Sequence, residues 1–403
     1  MTFADSQMYL QKHTVGSIAA KNRIVGNIID AFLTRNSFLV LGHETPDEDC
    51  IASMVAVSLV LSKLNKNVQI CTSSELPEHF HYLLQICRYN SIGVNQGDTE
   101  GSVEDIDTVI ICDTPKPAMI EATPAIQRLL SRNDVLKIEI DHHLETDSKF
   151  AGNDGYCLVT QASSTCELVG LLACKLSRRS EIREDEVVQD IFTRNMVLSI
   201  LTGIIGDTQL GKALKSHKER RFYEMFSEMF GRMLTEQTTK KTNFFNMEQI
   251  FGELRRLSSK EERFHDYLTA RSKTIPGVSY AVLTASESEA VHNEYDDDTI
   301  IAVARGVADE LAEESGYISV VGYYDHPDSS SLVQFRARRS FAFRDYDLRR
   351  ILDKLEIENG GGHEGAIGFR LDRSAIPNLD SYVERVTKTI QEELVSEGHI
   401  PAP

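Results

Sequence analysis

The chain has 403 residues, more than one hydrophobic core usually serves, so two domains are expected. Hydrophobic residues make up 41% and charged residues 26%, an ordinary globular balance, and a net charge of −18 excludes a broad basic surface for long duplex nucleic acid. Seven scattered cysteines lack zinc-site spacing and imply reduced thiols; with no signal peptide and no bilayer-length apolar run, the expectation is a cytoplasmic protein with no membrane partner.

Residues 13–35 read as a helix, with Ile18, Ile24, Ile28, Ile29 and Phe32 on one side. Ser37 to Leu41 reads as a buried strand that runs into His43-Glu-Thr-Pro-Asp47-Glu-Asp49, followed by a helix over 50–64. Strands are predicted at 68–72, at 107–112 ending on Asp113, and at 135–140 ending on Asp141-His142-His143. Helices are predicted at 120–131, 165–176 and 185–205, the last leading into Gly206-Asp207-Thr208. This alternation is that of an α/β fold with a parallel sheet, whose ligands sit at the carboxyl ends of the strands. Residues 209–275 read as a helical insertion and linker. A second, smaller α/β unit follows, with strands at 278–284, 299–305, 317–324, 331–338 and 366–370 and helices at 286–294, 345–356 and 377–395. The expected domains are therefore 13–208, which cuts, and 276–398, which recognises the end of the substrate across a cleft, joined through 209–275.

Carboxylates and imidazoles gathered at strand ends need a cationic partner, and two divalent metals are the simplest one. Mixed His and Asp donors suit Mn²⁺ or a similar borderline ion better than calcium. One metal is assigned His43, Asp47 and Asp113; the other is assigned Asp49, Asp113, His142 and Asp207, with Asp113 bridging. Taken alone, Asp47 and Asp49 read equally as helix-capping residues, and Asp113 as a helix cap. His143 is assigned to the substrate, at a phosphate oxygen or the leaving group, and Asp141 to fixing a ring nitrogen or the loop. The two ions share and activate a hydroxide for attack at phosphorus. In the second unit Arg336 and Arg338 share a strand face near Arg339 and Ser340, and residues 359–365 read as a loop in which Gly360-Gly361-Gly362-His363 permits close backbone approach to a phosphate or base.

The segments His-Glu-Thr-Pro-Asp-Glu-Asp, Cys-Asp-Thr-Pro, Ile-Asp-His-His and Ile-Gly-Asp-Thr resemble the four motifs of the DHH phosphoesterases. Arg-Ala-Arg-Arg-Ser at 336–340 and Gly-Gly-Gly-His at 360–363 resemble motifs of their DHHA1 substrate domain. The order is similar to the soluble nanoRNase and 3′-phosphoadenosine-5′-phosphate phosphatase subfamily. The resemblance implies two manganese ions on His43, Asp47, Asp49, Asp113, His142 and Asp207, a phosphate contact at His143, and nucleotide contacts at Arg338, Ser340 and His363. It also implies a homodimer and, as substrates, short RNA, linear or cyclic dinucleotides, or a nucleotide bisphosphate. Glu48 and Cys50 stand where the family carries small residues, and Thr-Gln-Leu-Gly-Lys after Asp207 lacks an aromatic that the family carries nearby. A polyphosphatase or pyrophosphatase and a non-catalytic nucleotide sensor are the competing readings.

Overall fold

Five consecutive buried residues, Ser37–Leu41 (β1), form a central strand of the first sheet. Both faces of the strand are covered, so the run is apolar from Phe38 to Leu41 instead of alternating. The computed structural model describes residues 10–72, 76–96, 103–120, 122–144, 147–179, 182, 191–235, 244, 246–254, 257–357, 359–376 and 378–401. It divides into two units, Met1–Arg256 and Leu257–Pro403.

In the first unit the strand order is β3 (Gly93–Gln96), β2 (Asn67–Thr72), β1, β4 (Thr108–Cys112), β5 (Leu136–Asp141) and β6 (Cys157–Val159). Every pairing is parallel. The order reverses between β1 and β4, so the loops leaving their carboxyl ends diverge and open a crevice there.

Helix α1 (Ile18–Thr34) buries Val25, Ile28, Ile29 and Phe32. Helix α2 (Glu48–Lys63) is buried almost continuously from Asp49 to Leu61 and starts at Asp47, whose carboxylate accepts the Cys50 N–H at 3.1 Å. Helices α3 (His81–Tyr89), α4 (Pro124–Ser131) and α5 (Thr165–Leu176) follow. Helix α4 starts later than the expected residue 120 because Thr123 caps it and Pro124 occupies its first turn.

Helix α6 (Arg194–Thr208) packs on α2 and α5. Of the helix expected over 185–205, residues 185–190 lie outside the described residues. Helices α7 (His217–Thr235) and α8 (Met247–Leu254) send Phe226, Phe230, Ile250 and Leu254 into the same core. The stretch 209–275 thus contributes two helices to the first unit before the division at Arg256.

The second unit begins with α9 (Ser259–Thr269). Its sheet runs β11 (Gly360–His363), β12 (Ala366–Asp372), β10 (Leu332–Arg339), β9 (Ile318–Tyr324), β8 (Val278–Val282) and β7 (Lys273–Ile275). Only β8 and β9 pair in parallel. Helices α10 (Ala285–Glu294) and α11 (Asp297–Ser315) cover one face together with α9; α12 (Arg349–Lys354) and α13 (Leu379–Ser396) cover the other.

Two expectations are corrected here. Residues 299–305 belong to helix α11, not to a strand. Asp296 caps that helix, and Ile300, Val303, Ala304, Val307, Ala308 and Leu311 line one buried face at helical spacing. The glycine-rich segment is also not a loop: Gly360–His363 pairs with β12 as an edge strand. Gly362 is required there, because its φ is +139° and a side chain would lie 2.2 Å from the Ala366 carbonyl.

Candidate metal centre

The crevice between β1 and β4 collects the charged side chains. His43 follows β1, and its backbone is held by a bridge to Ile120. Asp47 and Asp49 enter α2, Asp113 follows β4, His142 and His143 follow β5, and Asp207 sits in the last turn of α6. Asp113 is 1% exposed and adopts φ +50°, a left-handed conformation that Asp tolerates better than most residues.

Asp113 presents its two oxygens to different histidines. Its Oδ2 lies 3.9 Å from His43 Nε2, and its Oδ1 lies 3.4 Å from His142 Nε2. His43 Nε2 is also 3.8 Å from Asp47 Oδ1. His142 Nε2 further lies 3.4 Å from Asp207 Oδ2 and 3.9 Å from Asp49 Oδ2. Its Nδ1 faces the Ala162 carbonyl at 3.4 Å, which aims Nε2 at the carboxylates. The structure therefore brings all six expected ligand residues into one pocket.

The donor set fits divalent cations. Donors on one ion at about 2.1 Å stand about 3.0–3.5 Å apart in octahedral or tetrahedral geometry. Donor atoms of Asp49, His142 and Asp207 all lie within 4.8 Å of one another, as do those of His43, Cys50 and Asp113. The electrostatics point the same way. Burial and the facing Asp113 push the Asp49 carboxyl up to about 7. Burial and Asp49 hold Asp207 well above the ordinary carboxylate range. Against the cost of burial, Asp113, Asp207 and Asp49 hold the His142 imidazole well above its usual value. Protons on these groups supply positive charge where the carboxylates call for it. Cys50, fully buried, is kept a neutral thiol by burial and by the charges of Asp113 and Asp47.

Four supporting residues carried no sequence signal. The Thr165 and Cys166 N–H groups, at the start of α5, both donate to the Asp49 carboxylate, the second at 2.9 Å. Thr165 Oγ1 donates to Asp113 Oδ1 at 2.9 Å. Gly203 on α6 leaves room for the Asp49 head, since a side chain there would lie 2.3 Å from Asp49 Oδ1. Lys12, fully buried, pairs with Asp141 and with Glu139 at 2.7 Å.

Asp141 stands apart from the ligand cluster. Its Oδ1 accepts from His143 Nδ1 at 2.8 Å and from the His143 backbone N–H at 3.1 Å. Burial opposes ionisation, but Lys12 and His143 hold the Asp141 carboxyl well below the usual range. Through the bond to Asp141, and against burial, His143 is raised to about 9.

In the second unit, Gln334, Arg336 and Arg338 share the face of β10 opposite Val333, Phe335 and Ala337. Arg338 is 16% exposed and pairs with Asp309 at 3.1 Å. Arg336 Nε is buried with no hydrogen-bond partner among the described residues. Arg336 registers with Gly368, and Gly368 with Gly361, so two glycines floor the strip beside its guanidinium. Nothing lies within 4 Å of the position a Gly361 side chain would take. Ser340 is 2% exposed and turned inward, with Oγ 3.3 Å from Glu313 Oε2 and accepting the Ala342 N–H at 3.3 Å; it holds the turn after β10. His363 registers with Ala366 at the end of β11.

Residues 37–204 match the DHH family, N-terminal domain. These residues carry a DHH family N-terminal domain. DHH proteins are metal-dependent hydrolases of phosphoester or phosphoanhydride bonds. An exopolyphosphatase-related protein from Bacteroides fragilis shares the fold at TM-score 0.65 and 17% identity, over 93% of this chain and 96% of that one. A pGpG-specific phosphodiesterase from Vibrio cholerae aligns at TM-score 0.36 and 14% identity, over 89% and 99% of the two chains. RecJ from Thermus thermophilus aligns at TM-score 0.34 and 12% identity, over 94% of this chain and 53% of RecJ. No curated protein matches. No helix among the described residues is long and apolar enough to cross a membrane.

Proposed function

We propose that this protein is a manganese-dependent phosphoesterase acting on short oligoribonucleotides, linear dinucleotides or 3′-phosphoadenosine-5′-phosphate. The observation that carries the reading is Asp113, whose two oxygens face His43 on one side and His142 on the other. That division supports one ion held by His43, Asp47 and Asp113 and another held by Asp49, Asp113, His142 and Asp207. When bound, the ions supply Lewis-acid charge at the phosphorus centre and lower the pKa of water.

The protein's own groups do the rest. Thr165 and Cys166 fix the Asp49 and Asp113 heads before any ion arrives. His143, anchored through Nδ1 to Asp141, contacts the substrate phosphate and delivers a proton toward the leaving oxygen. In the second unit, which we assign as a DHHA1 substrate domain, Arg336 and the Gly361 and Gly368 floor receive the nucleotide. Arg336 takes the principal role there because Arg338 is engaged by Asp309 and Ser340 by Glu313. The absence of a disulfide among the seven cysteines, all of them described, supports a reducing, cytoplasmic setting.

The test is a substrate panel with Mn²⁺, comparing a 5′-phosphorylated dinucleotide, the adenosine bisphosphate and polyphosphate, with D113N as the blank. Turnover of the nucleotides that disappears in D113N is expected. Turnover of polyphosphate alone would replace the nucleotide reading with the chemistry named for the Bacteroides neighbour.

A further inference from the structure

Lys12 belongs to none of the motifs, yet its side chain is fully buried behind the catalytic triplet. Its Nζ meets three oxygens: Asp141 Oδ2, Glu139 Oε1 at 2.7 Å and the Thr114 carbonyl at 2.6 Å. Asp141 and the Thr114 carbonyl accept hydrogen bonds from the ammonium, and Glu139 meets it as an ion pair. The backbone that carries it is fixed as well. Gln11 bridges to Lys149, the Lys12 N–H donates to Ser148 at 2.9 Å, the Phe150 N–H donates to Leu10 at 2.9 Å, and the Val15 N–H donates to Val159 at 3.3 Å.

Burying a charge is unfavourable, and an apolar residue of similar shape often serves as well or better when only packing is at stake. What the charge achieves is visible at Asp141. One oxygen of that carboxylate is on Lys12, and the other is on His143 Nδ1 and the His143 backbone N–H. An ionised carboxylate only accepts, so His143 must carry its proton on Nδ1. Nε2 is then the ring nitrogen left for the substrate. Glu139 serves as the anchor behind the lysine, its Oε2 held by the Ala151 and Gly152 N–H groups at 2.9 Å each.

We propose that Lys12 is a positioning residue for the hydrolysis: it locks the Asp141 carboxylate in rotation, and through it sets the ring orientation of His143. The catalytic consequence rests on the reading that His143 faces the phosphate; the geometric consequence does not. Without Lys12 no hydrogen bond from another described residue holds Asp141 Oδ2, the carboxylate is free to rotate, and His143 loses its fixed partner.

The experiment uses the full chain. K12M alone strands two buried carboxylates, so the principal variant is K12M/E139Q, which removes one charge of each sign. E139Q isolates the anchor, and K12Q/E139Q, whose carboxamide still donates, replaces the methionine pair if that does not fold. The first readout is the ¹⁵N spectrum of histidine-labelled, Mg²⁺-loaded protein, with His143 assigned through H143Q. The second is kcat and KM with Mn²⁺ and a dinucleotide.

E139Q is expected to keep the His143 Nδ1–H signal. Folded K12M/E139Q is expected to lose it, with kcat down about 10–100-fold, the range for removing an orienting partner, and KM changed less than about threefold. A folded double variant with the native Nδ1–H signal and native kcat would overturn the proposal. If the signal is lost while kcat is native, and H143Q is also fully active, Lys12 does position His143 and the assignment of His143 to the chemistry is what fails.

Discussion

Removing metal should leave a protein whose stability falls as pH rises, and the structure sets the size of the effect. Asp49 is fully buried, and its carboxyl is held at about 7 against an ordinary value of 3.8. A raised carboxyl binds more protons in the folded than in the unfolded chain, so its contribution is complete below about pH 4 and is lost as pH climbs through about 7. His143 is raised from 6.5 to about 9 and His142 is raised well above its ordinary value, so each stabilises below its ordinary value and loses that contribution on the alkaline side. All three signs agree, and the window runs from about pH 4 to about pH 9. At about 1.4 kcal/mol per pH unit, Asp49 alone corresponds to about 4 kcal/mol. Its protonation is linked to that of Asp207 and His142, so this figure is a ceiling for the group.

Bound Mn²⁺ displaces those protons, so its stabilisation should grow with pH; it contributes about 2.7 kcal/mol at a hundredfold excess over Kd. The assay is urea unfolding followed by far-ultraviolet circular dichroism at about pH 5.5 and about pH 8, with chelator or with Mn²⁺. The metal-free protein should lose on the order of 2–4 kcal/mol between the two conditions, and Mn²⁺ should flatten or reverse the trend. Equal metal-free stability at both pH values would refute the account of the carboxylate cluster.

Three further outcomes follow from individual contacts. G203A places a methyl group 2.3 Å from Asp49 Oδ1, so overpacking of about 1–3 kcal/mol should exceed the helix-propensity gain of about 1 kcal/mol; thermal unfolding and Mn²⁺ titration should both show a loss. T165V removes the hydroxyl that donates to Asp113, and should lower Mn²⁺ affinity by roughly tenfold in a calorimetric titration while leaving the fold intact. R336A should raise KM for dinucleotides by roughly tenfold with kcat nearly unchanged, as the proposed substrate-binding role of its guanidinium requires; an unaltered KM would remove Arg336 from that role.

The sequence was most readable where chemistry and periodicity coincide. Strands such as Ser37–Leu41 end directly on Asp and His clusters, and parallel strands align their ends, so the gathering of His43, Asp113 and His142 followed from local pattern. Residues 299–305 misled because Thr-Ile-Ile-Ala-Val is β-prone over a short window, whereas the buried face that decides for helix becomes visible only by extending to Leu311. Lys12, Thr165 and Gly203 escaped notice for a different reason. Each acts across tertiary contacts to residues far away in the chain, and none stands in a pattern that marks it. Arg336 and Arg338 were equivalent by alternation, and only the Asp309 ion pair distinguishes them.

In the proposed centre Asp113 would join two cations held by six side chains. Electron paramagnetic resonance of the Mn²⁺-loaded protein, with Mn²⁺ titrated to saturation, tests this. Two ions per chain with the signature of an exchange-coupled pair are expected, converted in D113N to uncoupled or singly bound Mn²⁺. A single isolated ion in the native protein, or a spectrum unchanged by D113N, would contradict it.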